Sequence, residues 1–414
     1  MKRRGRKPEV TSLYKNGKRC TFYIKNDIKA KLDHLKHNSD VHISDLVNTA
    51  LELRLKDILS GKSDSIRVVS LFSGCGGMDV GFVGGFEFLN NKYENLGFEM
   101  VFANDIIQDA CDTYEEYFKH KSVCLDIKQY LDGNGIIPDC EVVIGGFPCQ
   151  DFSLAGKREG FNTERGRLYE QMKRVILLKK PLIFIAENVK GLTNLAGALD
   201  RIKNDFAATY PGYRISDHLL MAADFGVPQT RERVIIVGVR NDCVATFHAP
   251  SPTHAFDESN EDGRKPWVKS EEAIGDLWGT EKKKNCLPNQ NQYSQAKNYG
   301  EHLQGNKPIK ADYPAPTIRA EHHGNIEFHY KNKRRLTVRE CARIQTFPDN
   351  FVFKGSGSSA YVQVGNAVPP LLAWHIAKRV KEFVENEKKA RSESYKQNHG
   401  VYSFQEYAAG SSFR

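Results

Sequence analysis

Residues 141–152 read EVVIGGFPCQDF, and this stretch decides the fold. Its apolar run at 142–144 predicts a fully buried strand, and the two glycines that follow allow the backbone to turn. Pro148 then fixes φ directly before Cys149. A lone free cysteine is most often a small core residue, but the flanking residues here place the thiol outward, at a rim. We therefore interpret Cys149 as a reactive nucleophile at the end of a strand.

A second apolar run ends in an acid and an amide. Residues 181–190 read PLIFIAENVK, which predicts another buried strand with Glu187 and Asn188 at its end. The carboxyl ends of parallel strands meet at one edge of an open sheet, where such folds bind ligands. The sequence thus predicts an α/β fold in which the Cys149 thiol and the Glu187 carboxyl group share one crevice.

The composition of the 414-residue chain describes a soluble protein of two or three domains. No apolar run reaches membrane-spanning length, and the start, MKRRGRKPEV, lacks the apolar stretch of a secretory signal. The nine cysteines are scattered without a CxxC pair, which suits a reducing compartment and argues against zinc. His322, His323 and His329 lack acidic or cysteine partners at ligand spacing, so we expect no metal site.

Positive charge is concentrated at the amino terminus. Residues 1–65 hold 15 Lys and Arg against 8 Asp and Glu, a net charge of +7, so +2 of the chain's +9 remains for the other residues. Residues 2–7, KRRGRK, are too polar to pack and are typical of an arm that contacts phosphates. A merely solubilising tail is the alternative.

One strand and two helices are predicted within residues 1–60. Alternation over 18–27 predicts a strand with Arg19, Thr21 and Tyr23 on one face, and two helical patterns follow. This order is similar to that of ribbon-helix-helix repressors, which dimerise through their strands and lay the paired ribbon in the major groove. The resemblance implies a homodimer in which those three side chains face DNA bases. A helical packing or oligomerisation domain is the alternative.

The part of the chain that begins at residue 67 contains a glycine-rich turn and two turns with acidic residues, which together predict a nucleoside-binding site. A strand leads into FSGCGG (72–77), whose glycines allow a tight turn and bring backbone N–H groups close to a ligand at a helix N-terminus. The strand at 99–103 ends before Asp105 and Ile106, an acid for both ribose hydroxyls and an apolar side chain for an adenine face. Asp126 is a candidate acceptor for the adenine amino group. The pattern alone suits a dinucleotide as well as S-adenosylmethionine.

Two polar segments flank the predicted crevice. Residues 151–171 are charged and contain three glycines, so we expect a mobile lid over the substrate; a surface loop without a catalytic part is the alternative. Residues 219–240 contain a turn and then a buried strand that begins with Gln229, Arg231 and Arg233 on one face. Charged residues at such a position usually form a solvated rim.

Six motifs in order between residues 68 and 370 resemble those of the cytosine-5 DNA methyltransferase family. They include the FxGxGG turn at 72–77, Pro-Cys-Gln at 148–150, Glu-Asn-Val at 187–189, Gln-x-Arg-x-Arg at 229–233 and Gly-Asn-Ala at 365–367. Asp105 stands where many relatives carry Glu, and Ile106 where some carry Trp. The resemblance implies an α/β, Rossmann-like S-adenosylmethionine-dependent methyltransferase domain with a smaller, mostly β target-recognition domain.

The two resemblances also imply roles for individual residues. The catalytic residues are Cys149, Glu187, Arg231 and Arg233. The residues that bind S-adenosylmethionine are Phe72, Gly74, Gly76, Gly77, Asp105, Ile106, Asp126, Ile127, Pro148, Asn366 and Ala367. The residues that contact double-stranded DNA are Arg19, Thr21, Tyr23, Gln150, Ser153, Arg165, Thr317 and Arg319.

The implied reaction needs a covalent step, because carbon 5 of cytosine is a poor nucleophile. Addition of Cys149 to carbon 6, with Glu187 holding a proton at ring nitrogen 3, gives an enamine-like ring that accepts a methyl group. We therefore expect a cytoplasmic, nucleoid-associated bacterial DNA (cytosine-5)-methyltransferase of a restriction–modification system that also represses its own transcription. The alternatives are an RNA cytosine methyltransferase and a repressor with an inert catalytic lobe. A nicotinamide-dependent oxidoreductase would leave Cys149 and Glu187 unexplained.

Domain boundaries follow from the motifs. We predict a ribbon-helix-helix-like domain at 1–60, a linker at 61–66, the first part of the catalytic domain at 67–241, the target-recognition domain at 242–350, the return to the catalytic domain at 351–390 and a tail at 391–414. The segment at 334–351 predicts a strand, a turn and a helix. Beyond Asn386 we expect the chain to be polar and loose.

Overall fold

The computed structural model describes the backbone of residues 10–15, 18–23, 65–147, 168–195, 197–256, 263–295, 307–320, 326–331 and 333–399. Side chains are described within these ranges from residue 65 to residue 394. The chain divides into two compact units, residues 1–65 and residues 66–414.

The amino-terminal unit contains an antiparallel hairpin. Strand β1 (Val10–Lys15) pairs with β2 (Lys18–Tyr23), and Val10 lies opposite Tyr23. The predicted strand is confirmed over 18–23, but β1 is an addition to the prediction, and β2 pairs within its own chain. The sequence signal for β1 is the Asn-Gly pair at 16–17, which favours a two-residue hairpin turn. The two helices expected after residue 28 lie outside the described residues.

The second unit alternates strands and helices. Its strands are β3 (Ile66–Leu71), β4 (Phe86–Phe88), β5 (Asn91–Tyr93), β6 (Phe98–Asp105), β7 (Val123–Cys124), β8 (Val142–Gly145), β9 (Ile183–Val189), β10 (Tyr213–Met221), β11 (Gln229–Thr230), β12 (Glu232–Arg240), β13 (His254–Ala255), β14 (Lys265–Pro266) and β15 (Ala315–Pro316). Its α-helices are α1 (Gly77–Val83), α2 (Gln108–Phe118), α3 (Ile127–Asp132), α4 (Leu168–Lys179), α5 (Ala198–Ala207), α6 (Ser270–Ile274), α7 (Val338–Ile344), α8 (Gly357–Asn366) and α9 (Pro370–His399). Short 3-10 turns lie at Lys190–Asn194, Ala222–Phe225 and Gly275–Leu277.

Seven strands form the central sheet, in the order β10-β12-β9-β8-β3-β6-β7. The strands from β9 to β7 are parallel, and β12 runs antiparallel to both of its neighbours. Parallel strands covered on both faces read as continuous apolar runs, and all four residues of β8 are buried. The two strands predicted around residues 142–144 and 181–190 are therefore confirmed, and they are direct neighbours, β8 and β9.

The strand order reverses between β3 and β8. The chain runs outward from β3 to β6 and β7, and then places β8 and β9 on the other side of β3. In open sheets the crevice at such a reversal, beyond the carboxyl ends of the strands, binds the ligand. The glycine turn after β3, Asp105 at the end of β6, Phe147 after β8 and Glu187 near the end of β9 all lie at this edge.

Apolar side chains form a core on each face of the sheet. One core includes α1 and α9, which approach closely at Gly81, since a Cβ there would meet Pro370 O and Ala373 Cβ. The other core includes α4 and α5, where the rings of Phe184 and Phe206 lie 4.9 Å apart. The crevice edge is thus held between two layers of helices.

Helix α9 extends to His399, so the prediction of a loose chain beyond Asn386 is wrong as far as His399, and residues 400–414 lie outside the described residues. Glu387 is 1% exposed and accepts hydrogen bonds from the backbone N–H groups of Val244 and Ala245, at 2.9 and 3.0 Å. Arg391 donates to Glu387 at 2.6 Å. These bonds anchor the polar end of the helix to the segment that follows β12. Neither α9 nor any other helix in the described part of the chain is long and apolar enough to cross a membrane.

Residues 242–350 contain short elements where they are described. They hold the two-residue strands β13, β14 and β15 and the helices α6 and α7. The strand expected before α7 is reduced to isolated bridges, because Arg335 pairs with Phe328 and Thr337 pairs with Tyr293, on two different segments. Leu336 and Phe347 are fully buried in the core that includes α1 and α9. The end of this region therefore packs as part of the catalytic unit.

Candidate active site

Glu187 and Arg233 form a buried ion pair at the crevice. Strands β9 and β12 are antiparallel neighbours, so the end of β9 lies beside the start of β12. Arg233 Nε lies 2.7 Å from Glu187 Oε1, and the two residues are 9% and 8% exposed. Burial lowers the pKa of the Arg233 guanidinium, and the Glu187 carboxylate opposes that shift. The structure thus brings two of the four predicted catalytic residues into contact.

The Glu187 carboxylate also faces the segment that leads to Cys149. A Cβ at Gly146 would lie 2.9 Å from Glu187 Oε2, so the glycine leaves room for this oxygen. Asn188 Nδ2 donates to Phe147 O at 3.1 Å and ties the ends of β8 and β9 together. Oε1 therefore faces Arg233, and Oε2 faces the backbone three residues before Cys149.

The predicted nucleophile and most of the predicted lid lie outside the described residues. This applies to Cys149 itself, to the neighbouring Pro148 and Gln150, and to the candidate DNA contacts Ser153 and Arg165. The chain is described again from Leu168, where α4 begins, so the last residues of the expected loop at 151–171 are helical. The loop prediction is wrong at that end because Tyr169 and Met172 are buried on one face of α4.

Arg231 is 1% exposed and donates to three backbone carbonyls. Its guanidinium reaches Ile318 O at 2.9 Å, Gly365 O at 2.9 Å and Ala367 O at 3.0 Å. Burial holds the pKa of this guanidinium well below its usual range. In the structure Arg231 therefore braces two distant parts of the chain, the segment around residue 318 and the return at 365–367.

The other members of the alternating set are buried too. Gln229 is fully buried; its Oε1 accepts from Ile318 N at 2.9 Å, and its Nε2 donates to Gln345 Oε1 at 2.8 Å. None of Gln229, Arg231 and Arg233 is more than 9% exposed. The alternation therefore does not form a solvated rim, and it instead builds one wall of the crevice from β11 and β12.

The candidate DNA contacts near residue 318 lie beside this wall. Thr317 is half-buried and its hydroxyl donates to Thr230 O at 3.2 Å, while Arg319 is also half-buried. A Cβ at Gly365 would meet the backbone of Arg319 and Ala320, so the glycine permits this close approach. Of the contacts predicted in the amino-terminal unit, Arg19, Thr21 and Tyr23 lie on β2, and their side chains lie outside the described set.

The glycine turn after β3 has a strained backbone. Phe72 has φ +53°, a left-handed conformation that is rare for a bulky residue, and Gly74 and Gly76 follow at +54° and +91°. A Cβ at Gly77 would lie 2.6 Å from the carbonyl oxygen of Val368, so the start of α1 meets the returning chain here. Next to that contact, Ala367 is buried and Asn366 is exposed.

Asp105 ties the glycine turn to the end of β6. Its Oδ2 accepts from Gly74 N at 2.8 Å, and its Oδ1 accepts from the N–H groups of Ile106 and Ile107 at 2.8 and 3.0 Å. The Ile106 side chain is 66% exposed beside this carboxylate. An acid and an uncovered apolar side chain thus stand together at the crevice, as the sequence predicts.

The turn after β7 differs from the prediction in one respect. Asp126 caps α3, since its Oδ1 accepts from Lys128 N at 2.7 Å and from Gln129 N at 3.2 Å. Ile127 is 2% exposed, so its side chain lies in the core, and Leu125 is the apolar residue that stays exposed, at 41%. The sequence reasoning missed Leu125, because a single apolar residue before an acid gives no signal of its exposure.

These residues fit S-adenosylmethionine. The Asp105 carboxylate suits a ribose diol, the exposed Ile106 suits an adenine face, and the close contact between Gly77 and Val368 shows that the returning chain reaches the glycine turn. No group of three or more His, Cys, Asp or Glu side chains arranged for a metal ion occurs within the described ranges.

Comparison with known proteins agrees with this geometry. The model of a family described as C-5 cytosine-specific DNA methylase matches residues 66–382. The chain is 37% identical over 344 residues to the Type II methyltransferase M.NgoFVII of Neisseria gonorrhoeae, which covers 78% of this chain and 88% of that protein. It is 36% identical over 381 residues to the Type II methyltransferase M.BspRI of Lysinibacillus sphaericus, covering 81% of this chain and 86% of that protein.

A solved structure shares the fold. It is described as a putative DNA modification methyltransferase encoded within an E. coli prophage, and it superposes with a TM-score of 0.51 at 23% identity. The match covers 78% of this chain and 100% of the other.

Proposed function

This chain belongs to the C-5 cytosine-specific DNA methylase family, and we propose that it methylates a flipped-out cytosine through a covalent adduct of Cys149. It is a DNA (cytosine-5)-methyltransferase that depends on S-adenosyl-L-methionine. The observation that carries the proposed roles is the Glu187–Arg233 pair, 2.7 Å apart and buried at the end of the strand beside β8.

In the proposed reaction the Cys149 thiolate adds to carbon 6 of the base. Glu187 holds a proton at ring nitrogen 3, so the ring accepts the electron pair that the sulfur donates. S-adenosyl-L-methionine, when bound, supplies an electrophilic methyl group for carbon 5. Carbon 5 then loses its proton, the electron pair of that bond restores the ring double bond, and the thiolate leaves carbon 6.

The two oxygens of Glu187 take different parts in this proposal. Oε1 lies against Arg233, which fixes the carboxyl group and presents a positive charge to the carbonyl oxygen of the base. Oε2 lies next to Gly146, on the side that leads to Cys149. We assign Oε2 to ring nitrogen 3, because it is the oxygen directed toward the nucleophile segment. Arg231 supports this site through its bonds to carbonyls on two other segments.

The remaining assignments concern the cofactor and the DNA. Phe72, Gly74, Gly76, Gly77, Asp105, Ile106, Asp126, Ile127, Pro148, Asn366 and Ala367 form the proposed cofactor site. Gln150, Ser153, Arg165, Thr317 and Arg319 form the proposed DNA contacts of the catalytic unit. A base inside a duplex is out of reach of a crevice at a sheet edge, so it must be flipped out, and a recognition region and a lid are needed to hold the opened duplex.

The biological setting is also part of the proposal. Relatives at 37% and 36% identity are named as Type II methyltransferases, which supports a role as the methylase of a restriction–modification system. The basic charge of residues 1–65 and the strand at Lys18–Tyr23 support a DNA-binding amino-terminal unit that represses transcription. Since β2 pairs with β1 of its own chain, the proposed homodimer has to form through another edge or surface. A gel-shift titration of the chain's own promoter, with Arg19→Ala as the variant, tests that second part.

Incubation with labelled S-adenosylmethionine and duplex DNA tests the reaction. We expect 5-methylcytosine in the DNA, no transfer by Cys149→Ser, and a covalent complex at Cys149 when the DNA carries 5-fluorocytosine. Mapping of the methylated positions then identifies the sequence context. Transfer by Cys149→Ser, or an adduct on another residue, would contradict the assigned nucleophile, and faster methylation of tRNA than of DNA would favour the RNA alternative.

A further inference from the structure

Two apolar side chains remain exposed at neighbouring turns of the crevice. Ile106 follows β6 and is 66% exposed, and Leu125 follows β7 and is 41% exposed. The two strands are parallel, with Asp105 opposite Cys124, so both residues come one position after a register pair. Small-molecule sites are lined mainly by apolar side chains, so exposed ones beside a ligand crevice are candidates for contact with the ligand.

The backbone at Leu125 is fixed to the same turn as Ile106. Leu125 N donates to Asp105 O at 3.0 Å, and the Cys124 thiol lies 3.8 Å from Ile106 O. Asp105 is the residue whose carboxylate accepts from the glycine turn at Gly74. Leu125 is therefore attached directly to the ribose-binding corner of the proposed site.

Asn104 fixes the positions of the turns that carry Ile106 and Leu125. It is 1% exposed, and its Nδ2 donates to Val123 O at 2.8 Å and to Leu125 O at 2.7 Å. Its own carbonyl accepts from Ser73 N at 2.9 Å and from the Ser73 hydroxyl at 3.2 Å. Asn104 thus joins the end of β6 to the glycine turn through its backbone carbonyl and to the turn at Leu125 through its side-chain amide. Such a buried amide with both donors satisfied fixes the geometry of the segments it joins.

We propose that Leu125 contacts the adenine ring of S-adenosylmethionine, as an apolar wall in addition to Ile106. This inference rests on the proposed cofactor site and names a residue of it. Ile127 does not provide that wall with its side chain, because it is buried in the core beneath α3. Leu125 is exposed at the same turn, next to Asp126, and its position is fixed by the bonds from Asn104 and to Asp105.

Calorimetric titration of the full-length protein with S-adenosylhomocysteine and with adenosine tests the proposal. Leu125→Asn removes an apolar contact of a few tens of Å2, and we expect it to raise the dissociation constant of each ligand about fivefold to tenfold. The loss is the same for both ligands, because both carry the adenine ring. Leu125→Met keeps the apolar contact and retains affinity within about twofold.

Leu178→Asn is the matched control. Leu178 is 55% exposed near the end of α4, shortly before β9 begins, and so lies at the amino ends of the parallel strands, away from the crevice. Leu178→Asn should therefore change the affinity for neither S-adenosylhomocysteine nor adenosine. Unchanged affinity for both ligands in Leu125→Asn would overturn the inference, as would a loss for S-adenosylhomocysteine without one for adenosine. Failure of the wild-type protein to bind S-adenosylhomocysteine or to methylate DNA would instead contradict the proposed function.

Discussion

Gly146 sets the position of the Glu187 carboxyl group at the scale of single residues. A side-chain carbon at residue 146 would lie 2.9 Å from Glu187 Oε2, closer than such atoms pack, while Oε1 is held by Arg233 at 2.7 Å. A shift of the carboxyl group away from a methyl group at residue 146 would have to disturb its ion pair with Arg233. Adding one methyl group at residue 146 should therefore displace the Glu187 carboxyl group, which we assign to ring nitrogen 3 of the base.

We expect Gly146→Ala to lower the single-turnover rate of methylation by about tenfold to a hundredfold, because a misplacement of about 1 Å has that effect on a positioned catalytic group. The melting temperature should change little. Gly191→Ala is the control, since a Cβ there would meet only Val189 Cγ2, at an ordinary 3.7 Å. Single-turnover methylation of duplex DNA measures the rate. Equal rates in the two variants would show that Gly146 does not position Glu187.

Arg231 illustrates what single residues do not reveal in a sequence. The alternation of Gln229, Arg231 and Arg233 is visible in the sequence; in the structure Gln229 lies on β11, Arg233 on β12 and Arg231 between the two strands. The partners of Arg231, however, are carbonyls at residues 318, 365 and 367, which are distant in the chain. Hydrogen bonds to backbone atoms carry no side-chain signal, so a motif alone does not separate a buried brace from a group that faces a substrate.

At the scale of elements, buried strands are predicted well and polar helices poorly. Strands β8 and β9 are apolar runs that end in glycine or acid, because both faces of a parallel strand are covered. The last turns of α9 lack an apolar stripe, so their sequence resembles a loose tail. One buried carboxylate, Glu387, holds that end of the helix, and its acceptor role depends on N–H groups at residues 244 and 245.

Loss of the Glu387 carboxylate should therefore destabilise the catalytic unit. Glu387→Ala leaves two backbone N–H groups and Arg391 Nε without their acceptor, although Arg391 keeps its bond to Asp242, and we expect a cost of about 1–3 kcal/mol. Glu385→Ala is the matched control, since the Glu385 side chain is 58% exposed and its ion pair with Lys381 spans 3.7 Å. Urea unfolding measures both. The same unfolding midpoint in the two variants would mean that Glu387 does not anchor α9.

The amino-terminal hairpin contains a strand, β1, that the sequence pattern did not predict. Alternation identifies β2, but β1, which is also six residues long, directly follows a highly charged leader. The Asn-Gly pair between the strands is the signal that identifies both. Because β2 pairs with β1, one edge of β2 is occupied within the chain, and any pairing between two copies has to use another edge or surface.

At the scale of the whole molecule, the catalytic unit is assembled from chain segments far apart in sequence. The returning chain at 365–368 contacts the start of α1 at Gly77, and Gly365 contacts the backbone of Arg319 and Ala320. Arg231 donates to Ile318 O and to Gly365 O, so it bonds both to the segment around residue 318 and to the returning chain. The proposed cofactor site and the proposed base-binding wall thus share supporting contacts. Motif order identifies these parts along the chain, and only the folded structure shows that one buried guanidinium connects them.

Asp79 makes the stability of this unit depend on pH. It is fully buried in α1, accepts from Ser70 Oγ and Tyr114 OH at 3.0 Å each, and burial raises its pKa to about 6. The folded state then holds a proton that the unfolded state releases, so stability falls by about 3 kcal/mol as the pH rises from about 4 to 6. We expect Asp79→Asn to be more stable than wild type at pH 8 in urea unfolding, and the difference to shrink by pH 5. A difference independent of pH, or one reproduced by the exposed Glu87→Gln, would contradict this account.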